Sequence, residues 1–89
     1  MATTQGRGET IPSKAAHEAL TLYGWKHHGK GVYLLDGNDH EDILITGRPY
    51  GYMTQISWRH TDHGHSYAGK GVSALEYHLH VAEIRRTAN

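Results

Sequence analysis

The sequence predicts an α+β domain in which one N-terminal helix packs on a four-stranded, mostly antiparallel sheet. Three observations lead there. One helical pattern with a cap signal at each end lies near the N-terminus, two short apolar runs flank an Asp-Gly turn, and the later residues alternate with a period of two. At 89 residues the chain has room for one small core.

The elements follow in order. Residues 1–11 are expected to be a mobile tail ahead of a single domain over 12–89. Pro12-Ser13 opens a helix over 13–23, with Ser13 as N-cap, Ala16, Ala19, Leu20 and Tyr23 at helical spacing, and Gly24 as the left-handed residue that ends it. Val32-Tyr33-Leu34-Leu35 and Ile43-Leu44-Ile45 read as strands joined through Asp36-Gly37-Asn38-Asp39. Arg48-Pro49-Tyr50-Gly51 is a second turn. Beyond it Tyr52, Thr54, Ile56 and Trp58 face one side, while Met53, Gln55, Ser57 and Arg59 face the other, as in a strand.

Ser73–Arg86 is read as the fourth strand, because Leu75, Tyr77, Leu79 and Val81 alternate with Glu76, His78, His80 and Ala82. Those four apolar residues are expected to face inward. Wound as a helix at about 100° per residue, Leu75, Leu79 and Ala82 would point one way and Tyr77, Val81 and Ile84 the other. A small domain cannot bury both faces. The alternative is a closing helix, which gives a helix–β–β–β–helix order.

In that alternative order, a helix ending at Gly24-Trp25, three antiparallel strands and a closing helix after Gly69-Lys70-Gly71 resemble, in topology, double-stranded RNA-binding domains and the small HicA-type mRNA-cleaving toxins. The resemblance implies RNA as a partner. The toxins carry a Gly-Ser-His-His-like element on the first hairpin. The nearest counterpart here, Trp25-Lys26-His27-His28-Gly29, has its glycine after the histidines and no serine, so no catalytic histidine carries over.

Nine histidines and no cysteine set the chemistry. Nine Lys and Arg balance nine Asp and Glu, so the histidines are nearly the only groups able to change the net charge near neutrality. Balanced charge argues against a polyanion binder held by bulk electrostatics alone. Asp36, Asp39, Glu41 and Asp42 are nevertheless clustered, which leaves the rest of the chain basic. Without cysteine there is neither a disulfide framework nor a thiolate zinc site, and a cytoplasmic location is expected. No signal peptide is expected, and no run is long enough to span a membrane.

His60-Thr61-Asp62-His63-Gly64-His65 is the densest group of candidate metal ligands. Its spacing matches no zinc motif, so a solvated polar loop without a metal is expected; were an ion bound, His60, His63 and His65 would hold it. His78-Leu79-His80 places two imidazoles on one face of the expected strand, on its solvent side. Gly29-Lys30-Gly31-Val32 recurs as Gly69-Lys70-Gly71-Val72, each copy a turn leading into an element and able to approach a phosphate. Rings and cations interleave along Tyr23–Tyr33 and Tyr50–His60, as a nucleic-acid groove requires. Trp58 and Tyr52 are assigned to the core. The candidate ligand-binding set is Trp25, His27, His28, Lys30, Arg59 and Lys70.

These features lead to a small non-catalytic binding or regulatory module that needs no cofactor, with nucleic acid or another phosphate-bearing ligand ahead of a protein partner. Homodimerisation through a sheet edge is a further expectation. The alternatives are a protein-binding inhibitor of phage or mobile-element type, a histidine-dependent endoribonuclease and a histidine-rich metal-binding protein. No Ser/His/Asp or Cys/His arrangement stands out, and catalysis by two histidines with a lysine at the phosphate is the form an enzyme would take.

Overall fold

A computed structural model describes residues 11–38, 40–47 and 56–88. Helix α1 (Lys14–Leu22) is followed by strands β1 (Trp25–His27), β2 (Val32–Leu35), β3 (Glu41–Gly47), β4 (Ile56–Asp62) and β5 (His65–Lys70), then helix α2 (Val72–Thr87). The strands lie in sequence order in one sheet, each antiparallel to its neighbour. The α+β class stands. The count differs: two helices and five strands replace one helix and four strands. The expected tail at 1–10, the turn at 48–51 and the start of the third expected strand at 52–55 lie outside the described residues.

Ser13 caps α1 as its sequence implies, its Oγ accepting from the Ala16 amide at 3.2 Å. Ala16, Ala19 and Leu20 form the buried stripe, and Gly24 follows at φ +90°. The anticipated β2–β3 hairpin also forms, with β3 starting two residues before the expected run. Neither β1 nor β5 was anticipated. They are the two sheet edges, through which any edge pairing of two copies would run.

The His60–His65 segment is a hairpin and not an open loop. Asp62 pairs with His65, leaving His63 (φ +51°) and Gly64 (φ +88°) as a two-residue turn with both central residues left-handed. This conformation suits the right-handed twist of β4 and β5.

The strand reading of Ser73–Arg86 is overturned, because α2 buries one stripe only. Leu75 and Leu79 are 0% and 2% exposed, while Tyr77 and Ile84 stay 71% and 54% exposed. A small domain need not bury both apolar stripes of a helix. This one leaves the second in solvent.

Both helices contribute to a single core. Trp25, Tyr33, Ile43, Ile45, Ile56 and Trp58 project from one sheet face against Ala16, Ala19 and Leu20 of α1 and Leu75 and Leu79 of α2. On the opposite face, register aligns Val32, Leu44, Arg59 and Ala68 in one row and Thr46, Ser57 and Lys70 in the next. No element among the described residues covers that face. No helix among the described residues is long and apolar enough to cross a membrane.

Gly69 is required by the core. A Cβ there would lie 2.4 Å from Cζ2 of Trp58 and 2.8 Å from Cε2, so the ring occupies the space a side chain would need. Gly69→Ala is expected to destabilise the fold by about 1–3 kcal/mol, the usual cost of overpacking. A urea-unfolding midpoint equal to that of the parent protein would contradict this.

Candidate functional site

The site begins with two polar residues that occupy apolar positions. Along β3, Glu41 shares the buried face with Ile43 and Ile45; along β4, His60 shares it with Ile56 and Trp58. Glu41 is 4% and His60 2% exposed. Such groups are costly to bury unless partnered. Here Nε2 of His60 donates to Oε2 of Glu41 at 2.5 Å, Asn38 Nδ2 donates to Oε1 at 2.8 Å, and Arg86 Nη2 donates to Oε2 at 3.0 Å.

The other nitrogen of His60 extends the chain. Nδ1 lies 2.7 Å from Nε2 of His78 on α2. Three donors converge on Glu41, which therefore acts as acceptor. A neutral His60 that donates from Nε2 must accept at Nδ1, so His78 donates from its Nε2. Every hydrogen bond then runs in one direction, from His78 through His60 to Glu41, and Nδ1 of His78 remains outside the relay. The rings of Trp58, 4.8 Å away, and Tyr67, 5.4 Å away, flank His78 and fix its plane.

The relay opens into a pocket of about 380 Å³ between β4, β5 and the C-terminal half of α2. Glu41, His60 and His78 line it, together with Asp62, His63, Tyr67, Arg85 and Arg86. His63, in the hairpin turn, has Nδ1 2.5 Å from Oδ1 of Asp62. That hydrogen bond, more than any other influence, holds the Asp62 carboxyl below its ordinary 3.8, against a smaller opposing effect of burial. Burial, more than any other influence, lowers His78 below its ordinary 6.5; the Arg85 charge acts the same way and Glu41 opposes it. His78 is therefore a neutral imidazole at pH 7.

A stability consequence follows from His78. The unfolded chain takes up a proton at this imidazole more readily than the folded one, so its contribution to stability is complete above pH 6.5 and is lost as pH falls through the lower folded value. Acidification from neutrality should lower the melting temperature, and His78→Gln should flatten that dependence. An unchanged pH profile in His78→Gln would assign the acid sensitivity to other groups.

The residues singled out by sequence are dispersed. Trp25 is 2% exposed, its ring edge-on to His60 at 5.5 Å, so it belongs to the core and offers no surface for base stacking. His27 is half-buried beside Tyr33, at 4.9 Å between rings. Tyr33 in turn bonds Nδ1 of His17 through its hydroxyl at 2.9 Å, and burial pushes that hydroxyl up to about 12. His28 and Lys30 are exposed in the β1–β2 turn, Lys30 at φ +55°. Arg59 and Lys70 do come together, in a groove of about 360 Å³ on the uncovered face with Leu44 and Ala68.

His60, His63 and His65 do not converge as a ligand set. His60 is buried in the relay, His63 pairs with Asp62, and His65 stands exposed on β5. The group that does converge is Glu41, His60 and Asp62, whose ligand atoms lie within 4.8 Å of one another. His78 and His80 separate as well: on a helix, residues two apart point in different directions, leaving His78 in the pocket and His80 exposed. Asp62 lay within the candidate-ligand segment 60–65, whereas Glu41, Tyr67, Arg85 and Arg86 were missed as site residues. The available signal was phase, since Glu41 and His60 fall at alternating positions otherwise filled by isoleucine and tryptophan. Comparison with known protein families, curated proteins and solved structures finds no match for this chain, so the geometry of the site carries the functional reading.

Proposed function

We propose that the pocket is an acid–base site that cleaves RNA, the histidine-dependent endoribonuclease among the readings the sequence left open. One observation carries this: two imidazoles, each backed by a carboxylate, line the same pocket as two arginines. His78 is backed by Glu41 through His60, and His63 directly by Asp62. A carboxylate behind an imidazole fixes its tautomer and stabilises the charge that forms when it takes a proton.

RNA fits because of what the lining lacks. Among the described residues that line the pocket there is no serine or cysteine, and so no hydroxymethyl or thiol nucleophile. RNA carries its own nucleophile in the 2′-hydroxyl. His78, neutral at pH 7, takes the hydroxyl proton as the 2′-oxygen bonds to phosphorus. The bond to the 5′-oxygen breaks, His63 protonates that leaving oxygen, and the product end is a 2′,3′-cyclic phosphate. Arg85 and Arg86 supply positive charge against the negative charge that develops on the phosphoryl oxygens. A cytoplasmic location, expected from the lack of cysteine, accords with such a substrate.

The test uses two oligonucleotides of one sequence, one all-RNA and one with 2′-deoxyribose throughout. The all-RNA strand should be cut to a cyclic phosphate and the deoxy strand left intact. Cleavage of both would remove the 2′-hydroxyl mechanism.

The second reading, nucleic-acid binding without cleavage, is favoured by the Arg59–Lys70 groove on the uncovered sheet face. Two cations beside an apolar floor suit a phosphate-bearing strand. Lys70→Ala should then weaken binding and reduce its salt dependence by about one counterion. Lys30, exposed in the β1–β2 turn, should show the same behaviour if its turn also touches the backbone of the ligand. Equal salt slopes in both variants and the parent would exclude these lysines as phosphate contacts.

A further inference from the structure

We propose that Glu41, His60 and Asp62 form a binding site for one divalent transition-metal ion of the zinc class, and that its occupancy switches the relay off. The backbone builds the site. Glu41 and Asp62 are direct cross-strand partners in the β3–β4 register, and His60 lies two residues before Asp62 on the same face. Their ligand atoms lie within 4.8 Å of one another. Two carboxylates and an imidazole suit zinc and its neighbours at bonds of about 2.0–2.2 Å. Asp62, in the hairpin next to the turn, can swing from His63 towards the ion, and the open side of the pocket leaves room for water as a further ligand.

The surrounding groups also fit an outer shell. Asn38 and Arg86 hold the Glu41 carboxylate, and His78 meets the second nitrogen of His60. Metal-bound histidines use their remaining N–H in this way, and ligating carboxylates are commonly held by hydrogen bonds of their own. Arg86 places a positive charge beside Glu41 and opposes the ion. Binding is therefore reversible, with the metal acting as an effector.

The switch comes from competition for the same atoms. An ion on Nε2 of His60 displaces the proton shared with Glu41, so His60 carries its proton on Nδ1 and donates to His78. His78 must then accept at Nε2 and carry its own proton on Nδ1. The lone pair that would serve as base is no longer available, and the direction of the relay is reversed. The switch rests on the acid–base reading proposed above; the metal site rests on geometry alone.

The experiment is zinc titration of the full chain, without a histidine tag, in competition with a chromophoric chelator. Asp62→Asn should weaken zinc at least as much as the about 10–100-fold typical of outer-shell changes. His40→Ala and His65→Ala, at exposed imidazoles, should leave affinity unchanged. Nitrogen NMR of the parent should show the His60 proton moving from Nε2 to Nδ1 on loading. Equal affinity in Asp62→Asn and the parent would overturn the site, as would loss of binding in His40→Ala or His65→Ala. If zinc binds as expected and RNA is cut equally fast with and without it, the switch is wrong and the site remains. If zinc binds and RNA is never cut, the acid–base reading fails, and the switch with it.

Discussion

Glu41→Ala is expected to lower the unfolding free energy by about 3–5 kcal/mol, the cost of leaving a buried imidazole N–H without its acceptor together with that of the cavity the lost side chain leaves. Three donors would lose their acceptor at once: Nε2 of His60, Nδ2 of Asn38 and Nη2 of Arg86. Asn38 and Arg86 can turn towards water, since neither is fully buried. His60, at 2% exposure and edge-on to Trp25, cannot. Its imidazole N–H would lose its acceptor at the inner end of the pocket, and the alanine leaves a hole beside it. Glu41→Gln keeps an acceptor oxygen for His60 and should cost less, about 1–3 kcal/mol, the range for a weakened or unmet buried hydrogen bond. For a domain whose whole stability is on the order of 5–15 kcal/mol, the alanine variant approaches unfolding. Urea unfolding of the two variants checks the order; alanine as stable as glutamine would mean that Glu41 contributes through packing alone.

How much of this was legible in the sequence depended on the range of the interaction. Helix α1 and the β2–β3 hairpin were readable because their determinants are local: Ser13 bonds three residues ahead, Gly24 takes a left-handed conformation, and Asp36-Gly37 lies between two apolar runs. Helix α2 was not, because its residues satisfy both periods. Leu75 and Leu79 form a helical stripe, while Leu75, Tyr77, Leu79 and Val81 form an alternation; packing against the sheet selects the first and leaves Tyr77 in solvent. The polar strand β5 carries no pattern of its own and is defined by pairing with β4. The same holds for the site. Glu41 and His60 are 19 residues apart, and His60 and His78 are 18 apart, so only the register and the docking of α2 bring them together. The histidines that looked most like a cluster, at 60, 63 and 65, are divided by the hairpin that their own Gly64 permits. Each of the two imidazoles that matter most lies beside a partner distant in sequence or on an element read as another type.

His78→Ala is expected to slow RNA cleavage by about 10²–10⁴-fold while leaving RNA binding in place, the loss typical of removing one general acid or base. The fold should survive the change, since Leu75 and Leu79 anchor α2 on either side. Removing it leaves His60 Nδ1 without a donor but exposes that atom to the pocket, where water can replace the lost N–H. His63→Ala should give a comparable loss, and the double variant little more than either alone, because acid and base act in one step. The pH profile separates the roles. With His78 lowered from 6.5 by burial, the parent kcat/KM should rise with pH through an apparent value below 6.5 as the imidazole becomes neutral, this being the base limb of an acid–base profile. That limb should vanish in His78→Ala. Glu41→Gln should keep it but shift it downward, since a neutral amide no longer favours the protonated imidazole at the far end of the relay; kcat should fall while KM holds. This marks Glu41 as a positioning group and His78 as the base. Cleavage by His78→Ala at the parental rate would place the chemistry elsewhere, and retained RNA binding in that variant would then leave the Arg59–Lys70 face as the functional surface.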